Sequence, residues 1–119
     1  MNPADRIARW LDDLAAALGT AAELAARGRE AFDSDPAMSL AFEALSNRVG
    51  NLAKRLIAAD PEEFRDPIWR QAARQRDFVV HHYDRIDDDL LWRTITESFP
   101  KLAEAMRTAR SSRPAQPDV

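Results

Sequence analysis

Asp35-Pro36-Ala37-Met38-Ser39-Leu40-Ala41-Phe42-Glu43-Ala44-Leu45-Ser46-Asn47-Arg48-Val49 is the stretch that decides the fold. Asp35 can cap a helix, and Pro36 suits the first helical position, where its missing N–H costs nothing. Met38, Phe42, Leu45, Val49, Leu52 and Leu56 then return at alternating intervals of four and three. That period is helical, and it predicts an amphipathic helix of roughly six turns ending near Ala59. Beside the apolar stripe runs a polar or small one: Glu43, Asn47, Gly50 and Asn51. A glycine inside a helix costs roughly 1 kcal/mol relative to alanine, so Gly50 implies close approach of a neighbouring element. The stripe can line a site, form a dimer seam, or simply face solvent.

The same opening device recurs along the chain. Asn2-Pro3 precedes Ile7, Leu11, Leu14, Leu18, Ala21 and Ala25, a second stripe of the same period, with Gly28 as its stop and a polar connector through Asp33 and Ser34. Asp60-Pro61 reads as a cap and one short turn, and Asp66-Pro67 opens a third main helix. A fourth is expected to start from a cap at Asp87 and to carry Leu91, Ile95, Phe99, Leu102 and Met106, kinked at Pro100. Four Asx-Pro openings and no alternating strand pattern define an all-α bundle of four main helices plus a short turn of helix. Residues 1–110 form the helical domain; 111–119, with Pro114 and Pro117 and no apolar period, form a tail expected to be mobile.

Composition narrows the function. At 119 residues the chain is one domain with a modest core, a size at which helical chains often finish burying apolar surface by dimerising. It lacks cysteine, which removes disulfides and thiolate chemistry, and no apolar run approaches a membrane span. The expectation is a cytoplasmic protein without a membrane segment. A formal charge of −3 argues against a nucleic-acid coat protein held by long-range attraction. The segment from Arg65 to Arg85 runs the other way, with Arg65, Arg70, Arg74, Arg76 and Arg85 against Asp66, Asp77 and Asp84.

Within that segment Arg76-Asp77-Phe78-Val79-Val80-His81-His82-Tyr83 concentrates the chemistry. Arg76 falls between two apolar rows of the third helix. It either meets an acceptor, Glu43 and Asn47 being candidates, or grips a phosphate, because an unpaired buried guanidinium is very costly. Arg76 and Tyr83 are nearly coaligned, whereas five residues at about 100° each place His81 roughly 140° from Arg76. Either the helix distorts near His81 or two subunits combine across a symmetric cleft. The aspartates from Asp84 to Asp89 suit a helix cap better than a metal, since consecutive helical carboxylates diverge, and the pair His81-His82 lacks a further spaced ligand. No metal or cofactor is expected.

Read as R-x4-H-x-Y, followed by Ile86-Asp87-Asp88-Asp89-Leu90-Leu91-Trp92 and Phe99-Pro100-Lys101-Leu102, the chain from about Asp5 to Met106 resembles the HepT-like toxins of the HEPN superfamily. The resemblance implies a HEPN-like antiparallel helical bundle, dimeric, that cleaves RNA without a metal as the toxin half of a type VII-like toxin–antitoxin pair. It implies a cognate nucleotidyltransferase antitoxin as partner. Carried onto this chain, Arg76 and His81 are the catalytic pair and Tyr83 is the hydroxyl silenced by attachment of AMP, with Glu43, Asn47, Arg74 and His82 in support. Two positions depart from the family pattern: Asp77 directly after the arginine, and Gly50-Asn51-Leu52 in the second helix. The alternatives are a catalytically inactive HEPN module binding a nucleotide or a nucleotidyltransferase, and a helical interaction protein in which Arg76 is a paired core cation.

Overall fold

The structure, a computed structural model, describes residues 2–81 and 87–113, with the backbone alone described for 76–81. Among the described residues every regular element is helical. Helix α1 (Pro3–Ala25) begins as the sequence predicts, with the Asn2 side chain accepting from the Asp5 backbone N–H at 2.8 Å. Helix α3 (Pro36–Ala59) opens on Asp35, which accepts from the Ala37 N–H at 3.0 Å, and helix α4 (Pro67–His81) opens on Asp66, which accepts from the Ile68 N–H at 3.0 Å. Each carboxylate satisfies an N–H that the helix itself leaves without a partner.

The connector expected after Gly28 is instead a short helix, α2 (Arg29–Ser34). Gly28 stands at φ +95°, a left-handed conformation that side chains resist, and the turn it permits delivers Phe32 into the core. The Phe32 ring lies 5.0 Å from that of Phe42 and 5.5 Å from that of Trp92, centroid to centroid. A single aromatic anchor among polar neighbours gives no period to read, which is why the sequence looks like a connector there.

The turn after α3 follows the expectation: Asp60 accepts from the Glu63 N–H at 3.1 Å, and buried Phe64 meets Trp69 edge-on at 4.9 Å. The last helix begins at α5 (Asp88–Arg93), capped by Asp87 through the Leu90 N–H at 3.1 Å. It widens into a π-helical turn over Thr94–Ser98 before α6 (Phe99–Ser111). Pro100 explains the widening. A proline inside an α-helix loses one hydrogen bond and collides with the carbonyl four residues back. Here the Phe99 N–H reaches back to the Thr94 carbonyl instead, and the hydroxyls of Thr94 and Thr96 donate to the Leu90 and Trp92 carbonyls at 2.9 and 2.8 Å. The kink expected at Pro100 is thus absorbed as a π turn.

The core sits between α1, α3 and α6, built from Leu11, Leu14, Phe42, Leu56, Leu91 and Leu102 among others, all buried. Helix α3 is the central element, packing most extensively on α4 and then on α1, while α1 also packs on α6. Of the residues assigned to the tail, Ser111 ends α6 and Arg113 pairs with Glu63, whose Oε2 accepts at 2.7 Å; residues 114–119 lie outside the described residues.

Candidate active site

Helix α3, on which α4 packs most extensively, carries the polar and small stripe. Glu43 and Asn47 are half-buried, and Gly50 is buried, as expected of a glycine that lets another element approach. Asn47 makes interactions of its own. The stripe also contains a residue that sequence reasoning passed over: Ser46, only 3% exposed, whose hydroxyl has no hydrogen-bond partner among the described residues. Glu43, Ser46, Asn47 and Gly50 follow the i, i+3, i+4, i+7 spacing of a single helix face. An isolated serine between apolar residues is inconspicuous in sequence; its burial is what marks it.

Helix α4 places Trp69, Ala72 and Ala73 in the core and leaves Arg74 exposed. Gln75 is half-buried and its amide donates to the Ser98 hydroxyl at 3.2 Å, tying α4 to the π turn. Arg76 and His81 both belong to α4, beyond its buried start, but their side chains fall outside the described residues. His82 and Tyr83 lie outside the described residues altogether, and with them the expected meeting of guanidinium, imidazole and phenol.

The chain after residues 82–86 is held firmly. The Asp87 carboxylate caps α5, the Ser39 hydroxyl donates to Asp88 at 3.4 Å, and Arg29 binds Asp89 at 2.8 Å. Arg29 also binds Asp33 at 2.8 Å and lies over the rings of Phe32 and Trp92, 5.6 and 6.0 Å from their centroids. Its hydrogen bond to Asp33, then that to Asp89, raises its pKa above the ordinary arginine value, so it stays charged at any working pH. The described part of the acidic run is therefore engaged in capping and in tying α5 to α2 and α3. Among the described residues no cluster of histidine, aspartate or glutamate has the makings of a metal site, and no helix is long and apolar enough to cross a membrane.

A bundle that is all-helical among the described residues, organised on a long central helix and with the arginine and histidine candidates on the helix packed most extensively against it, has the architecture of a HEPN domain. The chain belongs to the ribonuclease HepT-like family, whose pattern matches residues 14–109, a span that contains every candidate residue named above. It is similar to a protein of Caldanaerobacter subterraneus subsp. tengcongensis named as a candidate RNase, at 29% identity over 82 residues, covering 66% of this chain and 70% of that protein. It is also similar to a protein of Thermococcus cleftensis named as a candidate ribonuclease HepT, at 44% identity over 34 residues, covering 29% of this chain and 31% of that one. No solved structure matches the chain. Family membership makes the protein an endoribonuclease with RNA as its substrate class.

Proposed function

We propose that the protein is a metal-independent ribonuclease toxin that cuts RNA with Arg76 and His81 and is silenced by AMP attached to Tyr83. What supports the reading is a family match that spans both residues, together with their common position on α4, the helix packed most extensively against the central α3.

The chemistry suits these groups. A neutral His81 imidazole takes the proton of a ribose 2′-OH, and the 2′-oxygen attacks the adjacent phosphorus. The P–O bond to the 5′-oxygen breaks, and that oxygen leaves as a 5′-hydroxyl once protonated, with a 2′,3′-cyclic phosphate on the other fragment. The Arg76 guanidinium grips the non-bridging oxygens and stabilises the charge that develops on them. Roughly 140° of helix separates the two residues, so the site is composite: two copies pair about a twofold axis, one giving arginine and the other histidine. A cognate nucleotidyltransferase transfers AMP from ATP to the Tyr83 hydroxyl, releasing pyrophosphate. The added bulk and negative charge then occupy the phosphate site on the Arg76 side of the helix.

Induced expression in a bacterial host tests this. Wild-type chain arrests growth, Arg76→Ala and His81→Ala both abolish the arrest, and co-expression of a cognate nucleotidyltransferase relieves the arrest and modifies Tyr83. Undiminished toxicity of both variants would remove the pair from catalysis.

A further inference from the structure

At the end of the bundle where α1 begins and α3 finishes, Pro3, Arg6, Trp10, Arg55, Ala58 and Ala59 line a cleft of about 380 Å³. Its make-up is unusual for this acidic chain. Arg6 and Trp10 are one helical turn apart on α1, so they share a face, and Arg55 comes across from α3. Both arginines are exposed, and neither forms an ion pair among the described residues. Trp10 is half-buried, anchored against the core with part of its surface still in the cleft, and Ala58 and Ala59 are too small to fill the space beside it.

Two exposed guanidiniums that form no ion pair among the described residues, beside a rigid aromatic surface, match one ligand chemistry well. Guanidiniums bind phosphate oxygens, and the indole face stacks a nucleobase, the combination by which single-stranded nucleic acid is held without sequence readout. Helix α4 begins at Pro67, eight residues after α3 ends at Ala59, and carries Arg76 nine residues further on. We propose that this cleft is a second subsite for single-stranded RNA, gripping one nucleotide of the substrate away from the scissile phosphate. Its place in the reaction rests on the reading of Arg76 and His81 as the cutting site; its ability to bind RNA does not.

The test separates those two dependencies. In one arm, a fluorescent twelve-nucleotide single-stranded RNA with 2′-O-methyl riboses, which lacks the nucleophile and stays intact, is titrated with full-length protein and followed by anisotropy. Arg6→Gln with Arg55→Gln weakens binding and lowers the salt slope by about 1.4, the value for two phosphate contacts on a single strand. Trp10→Leu weakens binding about tenfold while Trp10→Phe, which keeps a stacking ring, does not. Unchanged affinity and salt slope in the double-arginine variant would overturn the proposal, and because both side chains are exposed that variant keeps its fold if Trp10→Leu does not. In the other arm, cleavage of an unmodified twelve-nucleotide RNA is compared with cleavage of a dinucleotide. The cleft variants raise KM for the long RNA with kcat unchanged, and leave the dinucleotide reaction as it was. Equal losses on both substrates would overturn the subsite as a feature of the reaction. If instead Arg76 and His81 are not the cutting residues, His81→Ala keeps cutting, while the anisotropy arm still reports on the cleft.

Discussion

Phe32→Ala is the sharpest structural perturbation the bundle offers, because one ring holds a whole element in place. Helix α2 has six residues, and of these only Phe32 is buried, at 2% exposure. An isolated helix of that length does not persist in water, so its order derives from this side chain and from Arg29. Truncating a fully buried phenylalanine costs about 3–5 kcal/mol, the transfer of the ring plus the cavity left behind. The cavity here opens between Phe42 and Trp92, each within 5.5 Å of the ring centroid. Against a total stability of about 5–15 kcal/mol for a domain, that is a large fraction. Phe32→Leu retains most of the volume and costs about 1 kcal/mol. Urea unfolding followed by far-UV circular dichroism measures both, and fluorescence of half-buried Trp92 reports the local change. A loss below about 1 kcal/mol for Phe32→Ala would refute the assignment of α2 to the core.

Ser46→Ala raises stability by about 1 kcal/mol, a gain of a few degrees in Tm, because it removes a buried hydroxyl without a partner among the described residues; a comparable loss would show that the hydroxyl is bonded. Asp87→Ala removes the cap of α5 and costs about 1 kcal/mol by urea titration, whereas Asp87→Asn, which also caps, costs little. Mixing Arg76→Ala with His81→Ala chains, each inactive alone, restores about a quarter of wild-type cleavage if the two residues act across a twofold axis, since half the dimers are mixed and each holds one intact site. A mixture as inactive as its components would place the pair within one subunit.

The parts of the fold that follow from repetition were legible in the sequence. Stripes at intervals of four and three located α1 and α3, and the Asx-Pro pairs marked where α1, α3 and α4 begin, because capping and the fixed φ of proline are local effects that need no tertiary context. Asp87 was legible for the same reason. Helix α2 was not, since a single buried ring among charged neighbours has no period. The form of the Pro100 distortion was also hidden: the sequence shows that the helix cannot continue unchanged, but the choice of a π turn depends on threonine hydroxyls finding carbonyls one turn back. At the site, the family and its ribonuclease character were readable from Arg76, His81, Tyr83 and the Asp-Leu-Leu-Trp segment taken together. Ser46 was not, because burial on the α3 face is a property of packing. Neither was the Arg6, Trp10 and Arg55 cleft, since Arg55 is distant in sequence from the other two and joins them only where α1 packs on α3.

The measurement that bears most directly on the central claim is cleavage of a single-stranded RNA oligonucleotide by purified protein in excess EDTA, with the wild type, Arg76→Ala and His81→Ala compared at equal concentration. The wild type cuts and leaves a 2′,3′-cyclic phosphate, while each variant is slower by at least about a hundredfold, the scale of a lost general acid–base group or charge-stabilising donor. Cleavage that stops when metal is removed, or that proceeds at the wild-type rate in both variants, would contradict an Arg76 and His81 ribonuclease.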